Sequence, residues 1–181
     1  MGFLWPFSTR ESRERSRLKW QAREAEADAV ARRVFAELAA RFPSLTMEDH
    51  PEDPVEISIV IPEQEGCRFR VWLALQNCDE LHLLVENFWL EWFPCTTPKV
   101  ADLYLEAVSG FLSGEYRIME YSFLGECYLA RLQKPQAGGW KTIGTWTNLG
   151  VRLPGLIKAR ELRNHPPPDQ APPQAPSSHR A

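Results

Sequence analysis

The residue types able to do chemistry crowd into residues 79–95, which hold Asp79, Glu80, His82, Glu86, Glu91 and Cys95. Three chemistries are open to them. Cys95 stands just ahead of an expected helix start, where backbone N–H groups and the helix dipole lower a thiol pKa. With His82 as base it makes the smallest set for a thiol-dependent hydrolase. Cysteine is also among the most often buried residue types, so a packed Cys95 is the expected outcome. Cys67, Cys78, His82 and Cys95 offer the donor types that zinc prefers, but their spacings of 11, 4 and 13 lack the close pair of a structural site. No metal site is expected. Glu86 and Glu91 form a possible carboxylate pair, yet at an odd separation on a strand they face opposite sides. The chain has no Gly-x-Gly-x-x-Gly, no Walker loop and no Gly-x-Ser-x-Gly elbow. A nucleotide site of known type is therefore absent and no cofactor is expected.

The aromatic residues point elsewhere. Strand parity puts Trp72 on the same polar face as Arg70, and it puts Trp89 and Trp92 on opposite faces of their own strand. Outward tryptophans beside arginine are typical interface anchors. Arg70, Trp72, Trp89 and Trp92 are thus the expected partner-binding residues.

The elements that must position these side chains follow from hydrophobic spacing. Residues 10–42 read as one long helix with an apolar face at Ala27, Val30, Ala31, Val34, Phe35, Leu38 and Phe42, ended by Pro43. The segment 44–54 is a polar loop. Val55, Ile57, Ile59 and Ile61 then alternate, as do Phe69, Val71, Leu73 and Leu75, and residues 81–85 form a third strand. Residues 88–94 read as a further strand or an irregular aromatic segment. Thr96 or Thr97 can cap a second helix with Pro98 at its first position, its apolar face being Val100, Leu103, Tyr104, Ala107, Val108, Phe111 and Leu112. Gly114 is its stop. Strands follow at residues 115–121, 127–133 and 140–146, and residues 156–163 are assigned a short helix. The expectation is an α+β fold, α-βββ(β)-α-βββ, with both helices on one face of an antiparallel sheet of about six strands. Residues 1–24 are a basic extension, 25–150 a single domain, and 151–181 a tail with seven of the 15 prolines, expected to be disordered.

Charge is unevenly spread. The net formal charge is −3 over 181 residues. Residues 1–42 carry +3, residues 43–150 carry −9 and residues 151–181 carry +3. An acidic body repels nucleic-acid phosphate and attracts basic partners. Nucleic acid is not expected on the body; a basic protein surface or segment is, and a homodimer is possible. Phe3, Leu4, Trp5 and Phe7 precede the basic residues Arg10, Arg13, Arg15, Arg17 and Lys19, the reverse of a signal peptide. No stretch approaches the roughly 18–20 apolar residues of a membrane helix. A cytoplasmic location with free thiols is expected. Peripheral membrane contact through residues 3–7 is a lesser alternative.

Residues 79–146 resemble an uncharacterised bacterial α+β family. The resemblance is carried by Asp79-Glu80-Leu81-His82, Glu91-Trp92-Phe93-Pro94-Cys95 and Ser113-Gly114-Glu115-Tyr116-Arg117. It implies no activity and assigns no catalytic residue. The order of helices and strands is also similar to type III secretion chaperones, small acidic dimers that bind unfolded effector segments. The Trp-rich run before the second helix and the Pro-rich tail depart from that pattern. A non-enzymatic protein-binding domain of immunity or chaperone type is the leading expectation, and a thiol- or metal-dependent hydrolase using His82 and Cys95 is the alternative.

Overall fold

The computed structural model describes residues 10–148 and 156–165. Helix α1 (Arg10–Arg41) is followed by strands β1 (Glu48–Asp49), β2 (Ile57–Ile61), β3 (Val71–Gln76), β4 (Glu80–Val85) and β5 (Phe88–Trp92). Helix α2 (Pro98–Leu112) leads to β6 (Arg117–Phe123), β7 (Glu126–Gln136), β8 (Gly139–Thr147) and β9 (Ile157–Leu162). This is the expected α+β class with the expected N-terminal and central helices, but β1 falls in the segment expected to be a loop and β9 in the one expected to be helical. The strands divide into two antiparallel sheets, ordered β1-β2-β3-β4-β5 and β8-β7-β6-β9.

The division has a local cause. Edge strand β5 lies against edge strand β8 through side chains, without a backbone ladder. Gly144 on β8 has no Cβ, and one added there would meet the Leu90 side chain at 2.4 Å. Two edges that close through packing instead of hydrogen bonds leave two sheets where sequence alternation alone implies one.

In α1 the apolar residues are concentrated in the second half, and there Ala27, Ala31, Val34, Phe35, Leu38 and Phe42 are all buried. Spaced three and four apart, they form the stripe that packs on the first sheet and on α2. The ring of Phe35 meets Tyr104 edge-on at 6.3 Å. Leu18 and Trp20, in the first half, are exposed. Helix α2 starts at N-cap Thr97 with Pro98 in its first turn, as the sequence implies, but the Thr97 side chain makes no capping hydrogen bond. Its buried face comprises Ala101, Tyr104, Leu105, Ala107, Val108, Gly110, Phe111 and Leu112. The expected member Leu103 is exposed instead. The apolar arc of α2 is wider than the contact available, and packing against Phe35 and Trp92 centres it on Tyr104.

The alternating strands pack as their parity demands. Leu73, Leu75, Leu81, Leu83, Val85 and Phe88 join α1 and α2 in one core cluster. The register Val60↔Trp72, Trp72↔Leu84 and Leu84↔Trp89 sets one cross-strand row on the other face. A second row there runs Ser58, Ala74, His82 and Glu91.

Residues 157–162 are strand β9, paired with β6 from Ile118↔Leu162 to Phe123↔Ile157. The expected short helix is not formed. Leu162 and Asn164 are buried, so the body extends past residue 150. Asn164 caps this closure: its amide donates to the Phe111 carbonyl at 3.2 Å, and its oxygen accepts from the Arg68 N–H at 2.9 Å. These are tertiary partners, invisible to local periodicity. The apolar residues 3–7 and the tail beyond residue 165 lie outside the described residues.

Gly114 ends α2 with φ +74°, the left-handed stop that its position implied. A Cβ there would come within 2.3 Å of the Asn164 carbonyl oxygen. Backbone cannot move aside as a side chain can. Gly114→Ala should lower unfolding free energy by about 2–4 kcal/mol, from left-handed strain plus overpacking. Gly125→Ala, also at positive φ but with nothing within 4 Å, should cost less. Urea denaturation of the two variants checks the order.

Candidate functional site

The outer face of the first sheet, opposite the helices, gathers the residues that the sequence singled out. A groove of about 710 Å³ opens there, bounded by Asp53, Arg70, Trp72, Leu84, Glu86 and Trp89 among others. Three of the four expected binding residues, Arg70, Trp72 and Trp89, thus line one concavity. Trp92 does not. It lies on the core face of β5 with its ring edge-on to Tyr104 at 5.2 Å. Strand parity separates it from Trp89, and the helices occupy its side.

Each tryptophan wall is fixed by its one donor. Trp72 Nε1–H reaches Ser58 Oγ at 2.8 Å and Asp53 Oδ2 at 3.1 Å. Ser58 itself donates to Asp53. These two hydrogen bonds, Ser58 first, hold the Asp53 carboxyl below its usual range. They also tie the segment before β2 to the sheet. Trp89 Nε1–H reaches His82 Nδ1 at 2.7 Å, while the residue remains 44% exposed.

His82 lies between the two indoles, with ring centroids 6.4 Å from Trp72 and 5.7 Å from Trp89. It is 1% exposed. Its carbonyl accepts from the buried Tyr104 hydroxyl at 3.0 Å, which links α2 to the strand beneath the groove. Burial pushes the His82 pKa below 6.5, against the opposing pull of Glu80 and Glu91. Nε2 makes no hydrogen bond of good geometry, and Glu80 Oε2 lies 3.4 Å from it. Asn77 in turn donates to that same Glu80 oxygen at 2.8 Å.

Glu80, His82 and Glu91 bring donor atoms within 4.8 Å of one another. That spacing invites a cation, but the histidine tautomer opposes it. An indole N–H can only donate, so His82 Nδ1 must accept and the neutral ring's proton sits on Nε2. A metal at Nε2 needs the lone pair there and a proton on Nδ1, where Trp89 already points its own hydrogen. The Glu80 carboxylate therefore faces an N–H. The zinc set weighed from the sequence is not assembled either. Cys67 and Cys95 are buried in the hydrophobic core, whereas Cys78 is on the β3–β4 turn beside Glu24.

The thiol reading finds no support in this geometry. Cys95 is fully buried, and burial pushes its thiol up to about 11. Its backbone N–H bonds to the Asp79 carbonyl at 2.9 Å, which ties the segment ahead of α2 to the β3–β4 turn. His82 is sealed on the other face of the sheet. Glu86 and Glu91 both reach the outer side, because the turn after Val85 resets parity, but they serve different partners. Glu91 sits across from His82, and Glu86 faces Arg160 at 3.5 Å.

The groove's far end depends on residues that periodicity did not flag. Glu120, 2% exposed on β6, accepts from both the backbone and side-chain nitrogens of Asn87 at 3.0 and 3.1 Å. Arg160, from the unexpected strand β9, reaches Glu86 of the same turn. The second sheet thus clamps the turn that carries Trp89. A carboxylate on the inward side of a strand was the only available signal.

Tertiary placement also refines the charge division. Residues 43–97, which hold the first sheet, carry 11 Asp and Glu against two Arg. Residues 98–150 carry five of each sign. No protein-family model matches this chain, and neither the curated proteins nor the solved structures contain a match. No helix among the described residues is long and apolar enough to cross a membrane.

Two outcomes follow for the native protein. At pH 7.4 a maleimide should modify Cys78 ahead of the other three cysteines, since Cys67, Cys95 and Cys127 are buried, although desolvation and the nearby Glu24 and Glu56 raise the Cys78 thiol too and slow its reaction. Peptide mapping before and after addition of urea reads this. Separately, His82 titrates below 6.5 when folded and near 6.5 when unfolded. Between those two values the unfolded chain binds more protons, so the His82 contribution is complete above pH 6.5 and falls as pH drops through the folded value. Urea midpoints for wild type and His82→Gln should show a larger pH-dependent loss in the wild type.

Proposed function

We propose that this chain is a non-enzymatic binding module whose outer first-sheet groove docks a basic segment of another protein. The observation that carries the reading is the pair of indoles, Trp72 and Trp89, anchored by their N–H groups and flanking Leu84 in an open groove. Anchored aromatic rings lose little entropy on binding and are common hot spots. The charge of the surrounding sequence selects the partner. Asp53 and Glu86 border the groove, Glu80 and Glu91 share its face, and Arg70 alone opposes them among the lining side chains. An extended segment alternating arginine or lysine with apolar residues matches this arrangement. Immunity-type or secretion-chaperone-like action falls within the reading, and a homodimer is compatible with it. Cytoplasmic residence belongs to the same proposal.

The test titrates the protein with a synthetic peptide alternating Arg and Leu and with its Glu-Leu counterpart. Isothermal calorimetry supplies the affinities. The basic peptide should bind, weaken as salt rises, and lose about tenfold or more in Trp89→Ala, in line with hot-spot truncation. Equal binding of both peptides, or unchanged affinity in Trp89→Ala and Trp72→Ala alike, would sink the proposal.

A further inference from the structure

The hydrogen bond between Trp89 and His82 can exist in only one protonation state. Neutral imidazole has one donor and one acceptor nitrogen, whereas imidazolium has two donors. Nδ1 accepts from Trp89 Nε1–H at 2.7 Å. Adding a proton to Nδ1 sets two N–H groups against each other at that distance, with no acceptor between them. Nε2–H, facing Glu80 Oε2 at 3.4 Å, keeps its surroundings in both states.

We propose that His82 is a proton-operated latch on the groove: the neutral ring holds Trp89 against β4, and the imidazolium releases it. The functional part of this inference rests on the groove being a docking surface; the latch itself does not. Among the described residues, three carboxylates act on His82. Glu80 lies on its own strand, Glu91 across from it on β5, and Glu56 near it from the segment entering β2. On the β2–β3 side, Ser58 and the Trp72 ring intervene before Asp53, which has Arg70 nearby. From the helix layer, the Tyr104 hydroxyl meets only the His82 carbonyl. Glu80, Glu91 and Glu56 favour the charged ring, and burial together with the Trp89 donor opposes it. Opposition prevails, and His82 is held below 6.5. Trp89 is therefore latched at neutral pH and let go on the acid side.

Only one wall of the groove is sensitive. Trp72 is fixed by Ser58 and Asp53, neither of which changes state near pH 6. Trp89 has a single anchor and sits on edge strand β5, nearly half exposed. It can swing away without opening the core. A partner gripped between the two rings would accordingly be released as the medium acidifies.

Nitrogen-15 NMR of the full chain tests the latch without any ligand. At pH 7.5 the His82 ring should show an unprotonated Nδ1 and a protonated Nε2. On acidification the Trp89 indole N–H resonance should move, and its exchange protection vanish, with the midpoint of His82, below 6.5. Trp89→Phe keeps the ring but removes the donor, so the His82 midpoint should rise by about half to one unit, the worth of one hydrogen bond. In His82→Gln the Trp89 signal should be independent of pH. A protonated Nδ1 at pH 7.5, an unmoved midpoint in Trp89→Phe, or loss of the fold before His82 titrates overturns the latch. The Arg-Leu peptide is then titrated at pH 7.5 and below the midpoint. Affinity lower by tenfold or more at acid pH in the wild type but not in His82→Gln supports release. Equal affinity in the wild type overturns release. No binding at either pH, with the NMR transitions intact, defeats the docking reading and leaves the latch standing.

Discussion

Strand β4 is covered on both faces, and the groove, the state of its histidine and the seat of its tryptophans all descend from that. On the helix side Leu81, Leu83 and Val85 enter the core. On the outer side His82 is just as deeply sealed, by two indoles and a row of cross-strand neighbours. A polar ring in such a place must have its hydrogen bonds accounted for. Trp89 supplies a donor to one nitrogen, and the Glu80 carboxylate lies near the other. Because an indole cannot accept, this one bond settles the tautomer, disfavours a cation and makes the Trp89 seat conditional on charge.

The second sheet has a supporting role whose physical basis is electrostatic. Glu120 faces inward from β6, where a lone carboxylate would be costly, and satisfies itself on Asn87. Arg160 meets Glu86 one residue earlier. The β4–β5 turn, with Glu86 in the left-handed region at φ 52°, is thereby held from outside its own sheet. A comparable tie operates at the opposite end of the first sheet. Arg23, from the mostly solvated half of α1, pairs with the buried Asp79. Both clamps use charge to fix turns that hydrophobic packing alone would leave loose.

Placing the acidic residues within the fold changes what the net charge means. The body as a whole is acidic, but its excess lies in residues 43–97, while the later strands are balanced. A partner that responds to this asymmetry would meet one sheet and not the other. That is consistent with a directional binding surface and gives the tryptophans on the outer face an electrostatic setting.

Much of this was legible from residue spacing. The α1 stripe from Ala27 to Phe42, the alternation through β2 and β3, the stop at Gly114 and the pairing of Arg70 with Trp72 on one face all follow from periods of 3.6 and 2. Those periods act over a few residues, so any sequence window contains them. The division into two sheets, the strand at Ile157–Leu162 and the inward turn of Trp92 were not legible. Each depends on which distant element arrives: Gly144 against Leu90, β6 beside β9, the helices over one side of β5. The chemistry of His82 belongs to this second kind. Its residue type announces a group that can titrate, but only the Trp89 indole, seven positions away on the next strand, decides which nitrogen holds the proton. Sequence determines which faces exist; tertiary contact determines what each face touches, because hydrogen bonds and burial are properties of pairs.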